Sequence, residues 1–592
     1  MVLGVGAFGT ASAVELITRT ASLTPDEVRT AEAVVATVNS RLPASWNATL
    51  MHPVTLEWRD DLPPAVHGRA LGHRLLLRRD LLATAQGMDT PRPAMAALIH
   101  ELAHLYDRAT ARAPSRDPRL LDLAGWQVRP LPGAGRVTSN AFTDRSPDMY
   151  ELARPSEFFA VNLEHFLLDA DYGCRRPALA RHFAALSGTT PPAATCAPGQ
   201  VFVQAGADPQ ATPLLQLDAR RVYAIDYLLA EPDRHPMSRW GHGMLRLVIC
   251  APGRPPGPDC RLDLAHHQVL SFRAFVDDVQ VSSWRGLTGA YPSRLFVLPL
   301  HQVIDEYTRV ELRALRSVPL ALNPEEIEAV LERAAQVHWS YDGRYYFLTG
   351  NCAVETFRLL HDAVPRLADA GLRSITPTGL LQRLQRAGIA DGSVLADHAD
   401  ALRNGYRFDS LDAHYQAMLD IARMGLGIPG RHVVDWLDAS PVERGRWIGR
   451  ADIRSSAALL LLEEASLRRQ EQRARDELKR LLFSSSRSAM PAGTLDTVRE
   501  ALHSADALSR PARLLPSGGY GLPQAAERDA LQSQARRLGE RWRQARAQLQ
   551  VDARAALPAP RRLAIQATEA NIARLGEQLR RLNREAGGIE LR

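Results

Sequence analysis

One lysine, Lys479, stands in a chain of 592 residues, so the positive charge is almost all arginine. Lys and Arg together number 72 against 66 Asp and Glu, a net charge of only +6. That excess is too small for the length to argue for a nucleic-acid partner, and biased codon usage accounts for the arginines as well as phosphate binding does. Long apolar runs are also missing. None approaches the ~18 consecutive apolar residues that span a bilayer, and the run at residues 457–462 is far too short, so no transmembrane segment is expected. Cysteine is scarce, with five residues in all.

What is present belongs to a folded protein of several domains. The hydrophobic share is 45% and the charged share 23%, and the length predicts two to four domains. Residues 2–8 are small and apolar, and Ala11-Ser12-Ala13 has the form of a signal-peptidase site. Residues 1–13 therefore read as a signal peptide, but no Lys or Arg precedes Arg19, so either the true start lies upstream or the segment is merely an apolar N-terminus. The cysteines agree with export. Cys174 and Cys196 flank a loop rich in Pro and Thr, and Cys250 and Cys260 flank a turn rich in Pro and Gly. Two local disulfides are the economical pairing in an oxidising compartment, periplasmic or secreted, and they leave Cys352 unpaired.

Three blocks follow from the patterning. Residues 14–195 alternate helical and short strand patterns, with strands expected at 54–58 and 70–77 and a long helix at 95–110. Residues 200–395 open with strands at 246–249 and 268–274 and turn helical at 324–337 and 352–362. From 396 to 592 the pattern is all helical. Apolar positions Leu531 and Leu538, then Ile572, Leu575, Leu579 and Leu582, predict an antiparallel helical hairpin there.

His100-Glu101-Leu102-Ala103-His104 carries the strongest chemical signal. Histidines at i and i+4 project from one face of a helix and can share one tetrahedral metal. Glu101, beside the first of them, can take a proton from an attacking water. A chance match somewhere in a chain of this composition has a probability of roughly 0.03. Pro91 and Pro93 start the helix, and Asp107, one turn beyond His104, is in range to accept a hydrogen bond from a ligand imidazole. A third ligand is needed. Glu157, in Pro155-Ser156-Glu157-Phe158-Phe159-Ala160 at the start of a second amphipathic helix, is the first candidate, and Glu164 is the alternative. Together with Tyr150, seven residues before Glu157, these motifs resemble the catalytic domain of anthrax lethal factor and related zinc peptidases. The likeness covers residues 50–175. It implies Zn²⁺ held by His100, His104 and Glu157, Glu101 as general base, and Tyr150 as hydrogen-bond donor to the developing oxyanion.

Cys352 follows Gly350-Asn351 and opens an apolar-periodic helix, with Asn351 a suitable N-cap. A cysteine in a first helical turn feels the positive end of the helix dipole, which favours the thiolate. A base is needed as well. Trp240-Gly241-His242-Gly243 leads into a strand upstream, and His266 or His267 lies on the next. This order resembles circularly permuted papain-like enzymes. More closely, Gly241-His242, His266-His267 before Ser271-Phe272-Arg273-Ala274, and Tyr345-Tyr346-Phe347 leading to Asn351-Cys352 resemble the family named for the N-terminal periplasmic domain of lacto-N-biosidase, over residues 220–365. The resemblance implies Cys352 as nucleophile, His242 as base, and His266 or His267 as the orienting group.

The expected fold is α+β and multidomain: a mainly helical zincin-like domain, an α+β permuted papain-like domain, and an all-α C-terminal region with a helical hairpin. The leading expectation is an exported bacterial zinc metallopeptidase acting on a peptide or protein. One alternative puts the chemistry on Cys352 and His242, as an amidase, peptidase or acyltransferase acting on a cell-envelope polymer, lipid or protein. Another is a non-catalytic protein that docks to the envelope through its arginine-rich helices.

Overall fold

The computed structural model describes residues 14–83, 91–131, 133–190, 194–204, 214–232, 240–274, 291–346, 350–483, 510–537, 540 and 557–587. The signal segment expected at residues 1–13 lies outside them, as does Leu538. The architecture is mixed α+β.

The N-terminal part starts with β1 (Leu16–Arg19), α1 (Pro25–Arg41) and β2 (Val54–Arg59). Thr24 and Glu27 form a capping box at the start of α1, with Pro25 in its first turn, so the chain turns there from strand to helix. The strand expected over 70–77 is instead a hairpin of β3 (Gly68–Leu71) and β4 (Arg74–Arg78). Gly72, at φ +58°, supplies the left-handed turn that an unbroken apolar pattern conceals. The sheet order is β1-β2-β4-β3, parallel except for the β3–β4 pair. β3 is therefore an edge strand.

Val54, Leu56, Trp58, Leu75 and Leu77 point into one core. Into the same core go Leu98, Ile99, Leu102 and Ala103 of α2 (Arg92–Ala109). After α3 (Pro118–Ala124), helix α4 (Pro155–Leu168) buries Phe158, Phe159, Leu163 and Phe166 there too, and α5 (Pro177–Ser187) adds Phe183. Packing α2 against α4 over these residues leaves the opposite stripe of each helix facing a cleft.

A two-stranded hairpin, β5 (Gln200–Val203) with β6 (Leu214–Leu217), precedes the middle part. There β7 (Val222–Ala230), β8 (His242–Ile249), β9 (Gln268–Ala274), β10 (Tyr291–Pro299), β11 (Leu315–Pro319), β12 (Arg344–Tyr345) and β13 (Arg407–Phe408) form an antiparallel sheet. Its order is β12-β10-β9-β8-β7-β11-β13. Strand alternation divides the side chains. Leu229, Leu245, Leu247, Leu270 and Phe272 pack with α6 (Pro324–Ser340) and α7 (Cys352–Ala363) on one face. Leu228, Ala230, Met244 and Val269 pack with Leu300, Val303 and Tyr307 on the other. The middle block runs past 395, since β13 pairs with β11.

In the C-terminal part, α8 (Ile453–Phe483) pairs with α9 (Ala559–Glu585). Thr568 bonds Gln470, Asn571 bonds Glu463 and Gln578 bonds Ser456, so the two run antiparallel. Among the described residues α9 thus pairs with α8, and the first arm expected around Leu531 and Leu538 lies largely outside them. Leu531 packs in the core of the middle sheet, not against α9. Residues 510–537 bridge the middle and N-terminal parts: Leu514, Leu515, Leu522 and Leu531 join the core of the middle sheet, while the Tyr520 hydroxyl donates to Asp169 of the N-terminal part at 2.7 Å. Glu527 pairs there with Arg145 at 2.7 Å and Arg175 at 2.8 Å. Both local disulfides form, Cys174–Cys196 and Cys250–Cys260, and Cys352 is free and buried.

Candidate metal centre and its cleft

His100 and His104 occupy the stripe of α2 that its core residues leave open, one turn apart. Glu157 stands in the first turn of α4, where the helix dipole favours a carboxylate. Crossing the helices brings three donor atoms together. His104 Nε2 lies 3.1 Å from His100 Nε2 and 3.0 Å from Glu157 Oε2. His100 Nε2 is 3.3 Å from the same oxygen. Donors 2.0–2.1 Å from a shared tetrahedral ion stand about 3.3 Å from one another, so this triangle fits zinc.

Glu164, two turns along α4 from Glu157, is not the third corner. It accepts a 2.6 Å hydrogen bond from His100 Nδ1, on the far side of the ring. That bond places a proton on Nδ1, so in the neutral ring Nε2 carries the lone pair aimed at the centre. Sequence spacing assigned this supporting role to Asp107, and the structure corrects it. Asp107 is buried and accepts from Ser115 N at 2.8 Å and Ser115 Oγ at 2.7 Å, tying down the loop after α2.

The electrostatics match the geometry. Burial opposes protonation of His100, yet Glu157 and Glu164 outweigh it and raise the imidazole to about 10. Burial pushes the Glu157 carboxyl up, but hydrogen bonds with the two histidines prevail and hold it at about 2. In the metal-free protein a proton therefore fills the place that a cation would take. Glu101 is buried, and burial raises its carboxyl above the ordinary range.

Gly68 of β3 packs directly on Glu101: a side chain there would come within 2.7 Å of Glu101 Cγ and 2.9 Å of Oε1. This glycine carries no sequence signal, because the contact joins a strand to a helix more than thirty residues on.

Tyr150 lies on the 3-10 turn Met149–Leu152, its ring 6.3 Å from that of His100. Asp148 caps the turn by accepting from Tyr150 N at 2.8 Å. Glu151 anchors it, fully buried and accepting from Ser146, Asn162 and both terminal nitrogens of Arg176. Burial first, then the charges of Glu157 and Glu101, raise the Tyr150 hydroxyl, which stays protonated as a donor. The cleft, about 1090 Å³, is bounded by residues 65–71 on one side and by α2, α4 and this turn on the other.

The second set of expected residues does not assemble. Asn351 caps α7 as expected, accepting from Ala353 N and Val354 N. But Cys352 belongs to the α7 face of the middle sheet. His242 shares strand parity with Met244 and points to the opposite face, where its Nε2 meets Ser271 Oγ at 3.0 Å and its ring stacks on Tyr307. Burial, then the charges of Arg273 and Arg313, lower His242 to about 3.

His267 is fully buried. It accepts from Arg246 through Nδ1 at 2.9 Å, and its Nε2 donates to the Cys260 carbonyl at 2.8 Å. His266 is half-buried on the turn Leu264–His266 before β9. Neither histidine hydrogen-bonds Cys352. The thiol instead receives hydrogen bonds from the Gly243 backbone and the Tyr345 hydroxyl, and burial pushes its pKa up. Helix-dipole activation loses here to desolvation.

The fold and the site define a mixed α+β protein whose first part brings together two histidines and a glutamate that could hold a metal ion. Comparison with known families adds two findings. Residues 210–387 match the Lnb N-terminal periplasmic domain. Residues 15–116 and 111–196 match a domain of unknown function, DUF7844. No curated protein and no solved structure gave a match. No helix among the described residues is long and apolar enough to cross a membrane.

Proposed function

We propose that the N-terminal part of this chain is a zinc-dependent peptidase of zincin-like fold, working in an exported protein, periplasmic or secreted. The observation that carries this reading is the triangle of His100 Nε2, His104 Nε2 and Glu157 Oε2, with sides of 3.0, 3.1 and 3.3 Å, lining a cleft that also holds Glu101 and Tyr150. A zinc ion on these three residues would supply a Lewis acid that polarises the scissile carbonyl. Glu101, a carboxylate in a dry setting, takes the proton of the attacking water and passes it to the leaving amine. Tyr150 donates a hydrogen bond to the substrate oxygen as negative charge develops on it. β3 supports a peptide substrate, since an edge strand beside the cleft offers backbone groups to an extended chain.

Export is supported by the two disulfides and by the match of the middle part to a domain described as periplasmic. The papain-like reading of that part has weaker support, because the sheet separates His242 from Cys352. We read the middle part as accessory.

Metal analysis of the purified full chain tests the proposal. Stoichiometric zinc is expected in the wild type and none in the His100→Ala, His104→Ala double variant. Glu101→Gln should keep the metal and lose cleavage of a mixed peptide library. Wild-type protein that takes up no zinc when titrated with it overturns the reading.

A further inference from the structure

Past the C-terminal end of α2 a second hollow of about 990 Å³ adjoins the cleft. Asp107, Arg108, Arg154 and Ser156 line both, so the second hollow is a neighbouring arm of the metal cleft. Arg108, Arg112, Arg116 and Arg154 line this arm, and all four side chains are exposed. Among the described residues none of the four forms an ion pair; Arg108 donates only to the Ala70 carbonyl, at 3.4 Å. Elsewhere in the same part of the chain Arg59, Arg74, Arg78 and Arg79 each hold a carboxylate.

The arm has two acidic side chains, and both are engaged. Asp107 holds Ser115, and Asp117 accepts from Leu120 N at 2.9 Å as the cap of α3. Four guanidinium groups against two carboxylates leave the arm positive. His182 lines the same hollow, and its buried Nε2 has no hydrogen-bond partner among the described residues. Unpaired like charges around a concavity repel one another and raise the local concentration of anions. Guanidinium forks match carboxylates in geometry as well as sign.

Resting on the peptidase reading, we propose that this arm selects polypeptides carrying Asp or Glu residues a few positions to one side of the scissile bond. Because the arm joins the metal cleft, such residues lie in it while the bond to be cut lies over Glu101.

The test uses zinc-loaded full-length protein and two fluorescein-labelled peptides of alternating Ala-Glu and Ala-Lys. Arg112 and Arg116 line the arm but not the metal cleft, so their exposed side chains can be changed without disturbing the ligands. By fluorescence anisotropy at low salt, the Glu peptide should bind Glu101→Gln protein at least about tenfold more tightly than the Lys peptide. The preference should vanish in Arg112→Glu, Arg116→Glu protein and persist in the corresponding double Lys variant. Equal binding of the two peptides, or no effect of charge reversal, overturns the proposal. Cleavage of an unbiased peptide library separates it from the reading beneath it. Cleavage without acidic preference removes the arm's role and leaves the peptidase standing. Arginine-dependent binding of the Glu peptide with no cleavage of any peptide removes the peptidase and leaves the anion site.

Discussion

Replacing Glu164 by Gln distinguishes a supporting carboxylate from a metal ligand. The side chain accepts from His100 Nδ1 at 2.6 Å, and both partners are largely buried, with side chains 15% and 19% exposed. A short charge-assisted bond of this kind orients the ring and makes its other nitrogen a better donor. Losing such a partner weakens metal binding roughly 10- to 100-fold, or about 1.4 to 2.7 kcal/mol. Proton competition adds a second, testable part. His100 is raised to about 10 by Glu157 and Glu164 in the metal-free protein, so at neutral pH zinc must expel a proton. Wild-type affinity should therefore rise about tenfold per pH unit between roughly pH 6 and 8. Removing the Glu164 charge lowers His100, and the slope should flatten. Competition against a chromophoric chelator across that range measures both effects, and calorimetry in two buffers of different ionisation enthalpy counts the protons released. Unchanged affinity in Glu164→Gln would refute the supporting role. Complete loss of zinc would make Glu164 a direct ligand.

Gly68→Ala should leave zinc content near wild type while lowering kcat, with some loss of stability because the methyl group also meets the buried Leu77 side chain at 2.8 Å. The new methyl group must displace the Glu101 carboxylate, and a base moved by about 1 Å costs roughly 10²-fold; undiminished kcat measured on any cleaved peptide would show that Glu101 is not held by β3. For the thiols, unfolded protein without reductant should titrate one free sulfhydryl, Cys352, and reduced protein five. Native Cys352 should react with iodoacetamide near pH 7.5 more slowly than free cysteine, because its raised pKa leaves less thiolate, and His242→Ala should not change the rate. Fast labelling that depends on His242 would reinstate the thiol as a reactive centre.

The candidate metal site is far more legible in the sequence than its surroundings. His100 and His104 are one helical turn apart, so their convergence needs only local geometry, and the proline signals that start α2 and α4 are local too. Glu164 and Gly68 became meaningful only once α4 and β3 were laid against α2, contacts that no spacing rule encodes. Asp107 shows the converse: helical spacing put it in reach of a histidine, and the tertiary loop through Ser115 claimed it. The residues of the thiol set lie apart for a physical reason visible in β8. Its side chains are buried on both faces of the sheet, so apolar alternation gives no indication of which face α7 covers. One residue of parity then decides whether a histidine meets the cysteine or turns its back on it.

The segment at 510–537 imposes an order in time on the first domain. Arg175 receives the Tyr520 carbonyl and the Glu527 carboxylate from a segment made late in synthesis, 345 and 352 residues downstream. At about 5–20 residues per second, a ribosome needs roughly 20 to 70 s to cover that distance. During this interval Arg145 and Arg175 lack the Glu527 carboxylate, and His165, beside Glu164 on α4, lacks the Tyr520 ring that packs on it. The wall of the cleft is thus finished by a segment made 345 to 352 residues after Arg175, and a chain cut before residue 510 retains His100, His104 and Glu157 but never acquires that support.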